Sequence, residues 1–316
     1  IQEGVAFANL GLTVVDEQHR FGVMQRAGLR ERAAETGRTP HLLVMSATPI
    51  PRTLALTFFG DLDVSVIDEL PPGRQPVSTT WVAPEDRGDA YAFVRDEVHA
   101  GRQAFIVCPL VEESAAVQAR SATQEYERLS QDVYPDLRLG LLHGRMAQSE
   151  KDAVLGAFRR GELDILVATK VIEDGIEIPN GTVMLIEGAD RFGLAQLHQL
   201  RGRVGRGAER SYCLLLSDDP AQGARQRLKL MEETNDGFAL AEADLRLRGP
   251  GDYIGTRQGG LPEIQAADFS DVKLIEQARQ DAADLLSDDP GLRRPEHAAL
   301  AKAVVKMKRV VTGEVS

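Results

Sequence analysis

The chain has 316 residues, 43% of them hydrophobic and 27% charged, which describes an ordinary globular protein of about two domains. It holds no run of about 18 apolar residues, and its first residues, Ile1-Gln-Glu-Gly4, do not read as a signal peptide, so neither a spanning helix nor a leader is expected. The net charge of −11 argues against a surface coated with DNA-binding charge. Lys and Arg nonetheless bunch at 201–210, 225–229, 246–257 and 302–309, so any nucleic-acid contact is expected to be focal.

The chain starts without Met and in mid-pattern, and the expectation is a piece of a longer protein. Cys108 and Cys213 are its two cysteines, each inside an apolar run (104–109 and 211–216). They read as buried, reduced thiols, and two cysteines fall short of a metal site.

In chain order, Leu12–Val15 reads as a buried strand ending at Asp16-Glu17, His41–Ser46 as a second ending at Ala47-Thr48-Pro49, and Val64–Ile67 as a third. Asp68-Glu-Leu-Pro-Pro-Gly-Arg-Gln-Pro76 then interrupts the pattern with three prolines and a glycine, a stiff connector at a domain boundary. Beyond it, strands are expected at 78–82, 103–108, 137–142, 164–168, 182–187 and 211–216. Helices are expected at 86–100, 112–131, 148–160 and 194–203. That alternation predicts an α/β domain with a doubly wound parallel sheet, complete after the connector and partial before it. After Asp218 the pattern becomes mainly helical, with helices at 222–233, 272–286 and 296–310, a mixed stretch at 235–247 and a glycine-crowded loop at 248–261. The expected domains are residues 1–75, 76–217, 218–270 and 271–316.

Five segments carry chemistry. Asp16-Glu17-Gln18-His19 follows a strand, where ligands sit in parallel sheets, and such carboxylates can hold the Mg²⁺ of a nucleotide and polarise water. Ser46-Ala47-Thr48-Pro-Ile-Pro-Arg-Thr53 offers hydroxyls that either sense a γ-phosphate or cap the next helix. His143-Gly-Arg145 and Thr169-Lys170 follow further strands and offer phosphate contacts or plain strand–helix turns. Most informative is Gln196-Leu-His-Gln199-Leu-Arg201-Gly-Arg203-Val-Gly-Arg206, which sets three arginines on one short segment. Guanidinium groups held this way suit a phosphate that gathers charge during transfer.

Taken in order, these segments resemble the motifs of superfamily 2 helicases, the DExH-type ATP-driven translocases. The longer stretches 16–23, 46–55, 68–74, 143–146 and 196–207 closely resemble the RecG family, bacterial DNA helicases that remodel stalled forks and branched junctions. Residues 235–238, 244–252 and 255–259 resemble the translocation element that this family shares with transcription-repair coupling factors. The resemblance covers roughly residues 1–270.

It implies RecA-like lobes, with ATP and Mg²⁺ as cofactors and branched double-stranded DNA as partner, in a bacterial cytoplasmic protein that is a monomer. Asp16 and Glu17 would be the Mg²⁺ and water-activating acids. Arg203 and Arg206 would face the γ-phosphate, with Arg206 as the finger. His19, Ser46, Thr48 and Gln199 would couple nucleotide state to motion. His143, Arg145, Thr169, Arg257 and Gln258 would contact DNA or drive translocation. Lys170 and Asp174 depart from the family's Thr and Val, which puts that loop's backbone contact in question. No Gly-x-x-x-x-Gly-Lys-Ser/Thr phosphate loop occurs in the chain. The family carries that loop upstream, with a wedge domain further upstream, so this chain is expected to be a C-terminal portion. A non-catalytic module that kept the arginine lobe, and a coupling-factor motor, are the rival readings. The acid box Asp16–His19 and the connector Glu69–Arg74 favour the first family over the second.

Overall fold

In a computed structural model of the chain, the described residues are 10–16, 40–47, 63–67, 69, 71, 73–109, 115–169, 178–218, 220–248 and 272–312. The chain divides into two compact units, residues 1–49 and 50–316.

In the first unit, β1 (Leu12–Val15) and β2 (His41–Val44) pair in parallel, with Val15 opposite Val44. Both were legible as short apolar runs ending in polar residues. The run Val64–Ile67, in the second unit, forms no strand. Ile67 is 88% exposed. An apolar run becomes a strand only with a neighbour to bond to, and none pairs with this one among the described residues.

The second unit is built on six parallel strands: β3 (Ser78–Val82), β4 (Gln103–Val107), β5 (Leu139–Leu142), β6 (Ile165–Ala168), β7 (Gly181–Ile186) and β8 (Tyr212–Leu216). Their order is β3-β8-β7-β4-β6-β5. Every residue of β4, β6 and β7 is buried, as continuous apolar runs in a parallel sheet covered on both faces require.

One face packs against α1 (Arg87–His99) and the segment that follows α2 (Ala115–Arg128). Its core includes Val94, Ile106, Leu129, Tyr134, Val167 and Leu185. The other packs against α3 (Gln148–Arg159), α4 (Leu194–Arg201) and α5 (Gln222–Glu233), around Phe105, Phe158, Met184, Leu197, Leu215 and Met231. The sheet is therefore doubly wound, as expected. Cys108 and Cys213 lie buried, one toward each face, and burial raises both thiols, Cys213 to about 12. They are inert packing residues.

Two further segments differ from the reading of the sequence. The stretch read as mixed, 235–247, folds as α6 (Gly237–Arg248). Asp236 caps it, accepting from the Phe238 N–H at 2.8 Å, and Leu240, Ala241, Ala243 and Leu245 bury one side. The helix expected to run through Arg203 ends at Arg201, with Gly202 as its C-cap residue. Beyond α6, α7 (Val272–Asp288) and α8 (Ala298–Thr312) close the described chain. Between them Asp289 accepts from the Arg293 and Arg294 N–H groups at 3.0 Å each and pairs with His297 Nδ1 at 2.8 Å. Those bonds hold its carboxyl down at about 2.

Candidate functional site

In the first unit, the parallel register sets the ends of β1 and β2 side by side. The Met45 N–H donates to the Val15 carbonyl at 2.7 Å, so Asp16 and Ser46 follow adjacent strand ends, both exposed. A carboxylate and a hydroxyl so placed are hard oxygen donors that fit Mg²⁺. The described residues hold no group of three His, Cys, Asp or Glu side chains that could bind a metal ion. Water and phosphate oxygens would complete the shell, which is usual for this ion. Glu17, His19 and Thr48 lie outside the described residues.

In the second unit, His143 and Thr169 follow β5 and β6, which are neighbours, so both stand at the C-terminal edge of the sheet. The Thr169 N–H donates to the Leu142 carbonyl at 3.2 Å, and Thr169 is buried. A turn closed by the Met146 N–H on the His143 carbonyl (3.2 Å) leaves Arg145 exposed. Lys151 Nζ donates to the Gly144 carbonyl at 3.2 Å and fixes that turn to α3. Lys170, Asp174, Arg257 and Gln258 lie outside the described residues.

The arginine segment sits at the opposite edge. Helix α4 leads from the end of β7 back toward the start of β8. A Cβ on Gly207 would lie 2.7 Å from the Pro179 carbonyl oxygen, just before β7, and Arg102, just before β4, pairs with Glu209 at 3.1 Å. Residues 202–211 therefore line the N-terminal ends of the strands. Gly205 takes a left-handed φ of +75°, which favours glycine there. Arg206 is exposed, and its Nε donates to the Gly202 carbonyl at 3.4 Å. Gln199 and Arg203 are half-buried.

Arg201, the first of the three arginines, has a different role from its neighbours. It is 2% exposed. Its Nη1 donates to the carbonyls of Met231 (2.8 Å) and Thr234 (2.9 Å) and to Thr79 Oγ1 (3.3 Å), and its Nη2 donates to His198 Nδ1 at 3.1 Å. It caps the end of α5 and is spent on packing. His198 must stay neutral to accept that bond. Burial, then the charge of Arg201, lowers its pKa to about 4.

A buried polar network at the C-terminal edge was not visible in the sequence. Glu187, at the end of β7, accepts from Tyr91 Oη and from Arg87 Nη1 (3.1 Å); Arg87 also pairs with Asp218, and Arg128 Nη2 donates to Tyr91 Oη at 2.8 Å. Burial pushes the Glu187 carboxyl up and the Tyr91 phenol to about 12. Its members are scattered over 131 positions, so no local motif announces it.

A doubly wound sheet whose arginine segment lies at one edge and whose His-Gly-Arg turn lies at the other defines a RecA-like helicase lobe. Comparison with known proteins agrees. The helicase conserved C-terminal domain matches residues 89–208, and domain 3, C-terminal, of the ATP-dependent DNA helicase RecG matches residues 234–313. The ATP-dependent DNA helicase RecG of Synechocystis sp. is 50% identical over the whole chain, that of Thermotoga maritima 52% over 95% of it, and that of Bacillus subtilis 48% over 99%. The chain covers 37%, 38% and 46% of those proteins, less than half the length of each. A solved structure of RecG bound to a three-way DNA junction aligns over 87% of the chain and 34% of its own, at 50% identity and a TM-score of 0.66. The DUF1998 helicase MrfA bound to DNA shares the fold at 17% identity, with a TM-score of 0.54 over 75% of the chain and 37% of its own. The chain is similar, over its whole length, to part of the ATP-dependent DNA helicase RecG.

Proposed function

We propose that the chain supplies the second motor lobe, and part of the first, of an ATP-dependent translocase on double-stranded DNA that remodels branched DNA in recombination and repair. Stalled forks and Holliday junctions are its substrates. The observation that carries this reading is the arginine segment. Arg201 is buried as an anchor, Gly207 is pressed against Pro179, and Arg206 is left exposed at the sheet edge. A guanidinium presented on so fixed a support is suited to a transferring phosphate.

In this reading Asp16 and Glu17 hold Mg²⁺ and orient water, while Arg203 and Arg206 neutralise charge gathering on the γ-phosphate. Ser46, Thr48, His19 and Gln199 couple that state to lobe closure. His143, Arg145 and Thr169 take DNA phosphates at the far edge of the same sheet, and Arg257 and Gln258 pass closure to the DNA. Binding through phosphates is insensitive to sequence and sensitive to salt. The protein acts as a monomer in the bacterial cytoplasm, at the nucleoid. No helix among the described residues is long and apolar enough to cross a membrane.

The chain contains no phosphate-cradling loop, so it should hydrolyse negligible ATP alone and turn over on forked DNA when joined to the segment its longer relatives carry. Steady-state ATPase of the two forms, with and without forked DNA, tests this. Robust turnover by the chain alone would overturn it.

A further inference from the structure

The residues that connect the lobes in sequence run along the arginine segment. The Arg74 N–H donates to the Pro71 carbonyl at 3.1 Å, closing a turn in which Gly73 takes φ +83°. That turn presents Arg74 to the end of α4, where its Nη2 donates to the Gly202 carbonyl at 3.4 Å. Gln75 Nε2 donates to the Ala208 carbonyl at 3.4 Å, and the Ser78 N–H to the Ser211 carbonyl at 2.9 Å. Val77 is buried, and a Cβ on Gly205 would meet its Cγ2 at 3.0 Å. Residues 74–78 thus track residues 202–211 almost pair by pair.

The connector and the arginine segment meet at Gly202. Its carbonyl oxygen accepts from Arg74 Nη2 and also from Arg206 Nε, 3.4 Å in each case. A carbonyl has two lone pairs and can serve both. The shared acceptor brings two positive charges together, and burial, then the charge of Arg206, lowers the pKa of Arg74.

We infer that Arg74 is a positioning residue for the arginine finger, acting through the Gly202 carbonyl it shares with Arg206. Arg74 itself touches no phosphate. The inference rests on the proposed role of Arg206. A misplacement of about 1 Å can cost about 100-fold in rate, so a contact this close to the finger matters.

The test is a double-mutant cycle in the whole protein, reading ATP hydrolysis on forked DNA. Arg74→Ala should lower kcat by about 10-fold or more while the KM for ATP stays within about threefold, because chemistry and not ground-state binding is impaired. Arg74→Lys should recover most of that loss. The double variant Arg74→Ala/Arg206→Ala should be no slower, within about twofold, than Arg206→Ala alone, since residues acting as one unit are non-additive. Gly73→Ala strains the turn without a steric clash, as no atom lies within 4 Å of the new Cβ, and should mimic Arg74→Ala; Gly73→Asn, which tolerates that φ, should not. A parental rate for Arg74→Ala, or losses that multiply in the double variant, would overturn the inference while leaving the finger intact. A parental rate for Arg206→Ala would overturn the functional reading and this inference with it.

Discussion

Arg201 donates to the Thr234 carbonyl at 2.9 Å, which ties the helix carrying the arginine segment to the junction between α5 and α6. The same side chain reaches Met231 and Thr79, so one buried guanidinium pins α4, α5 and β3 together. Burial lowers its pKa, yet an arginine remains charged, and every acceptor around it depends on that charge.

Arg201→Ala would leave the Met231 and Thr234 carbonyls without this donor and empty a buried volume. A loss of about 1–3 kcal/mol is expected, since buried acceptors left without a donor cost their desolvation. Urea unfolding of the purified chain measures it. Arg201→Lys should lose less, keeping the charge but not the fork of donors.

His198 makes stability depend on pH. Its pKa is lowered to about 4 in the folded protein, against 6.5 as the ordinary value. The stability due to its neutral form is complete above pH 6.5 and falls as the unfolded chain takes up a proton, until it is gone below about pH 4. The loss is at most about 3 kcal/mol across that window, at about 1.4 kcal/mol per pH unit. Urea midpoints between pH 7.5 and 4.5 should show this slope, and His198→Gln should flatten it.

Gly207→Ala should bring a Cβ to 2.7 Å from the Pro179 carbonyl oxygen, a distance backbone must move to relieve. The expected cost is about 1–3 kcal/mol in unfolding free energy. Because the displaced backbone adjoins Arg206, DNA-stimulated ATP hydrolysis by the whole protein should fall further than the stability loss explains.

Glu187→Ala should remove the acceptor that Tyr91 and Arg87 share at the end of β7. A loss of about 1–3 kcal/mol is expected, because two half-buried donors lose their shared acceptor. Glu187→Gln keeps an oxygen for Tyr91 and should cost less. Thermal unfolding of both variants distinguishes them.

The sheet was legible because β6, β4 after Gln103 and β7 after Thr182 are continuous apolar runs of the kind a doubly covered parallel sheet needs. Residues 64–67 carry the same signal without a partner strand, and a strand is a property of pairs. α6 escaped notice because 235–247 reads as a mixed stretch until Asp236 is seen to cap a helix. At the site, residue type and spacing mark Arg201, Arg203 and Arg206 alike, since they carry no burial, and only the family resemblance sets Arg203 and Arg206 apart. Only the carbonyls of Met231 and Thr234, some thirty residues on, assign Arg201 to packing. The shared acceptor at Gly202 likewise joins Arg74 to a segment 128 positions away, beyond the reach of any local motif.

In the proposed function Arg206 completes an ATP-hydrolysing site, and the rate of ATP hydrolysis on forked DNA by the whole protein bearing Arg206→Ala reads this out. An arginine finger is worth about 10³–10⁵ in rate, so a fall of at least about 100-fold is predicted, with DNA binding retained. A rate equal to that of the parent would contradict the account.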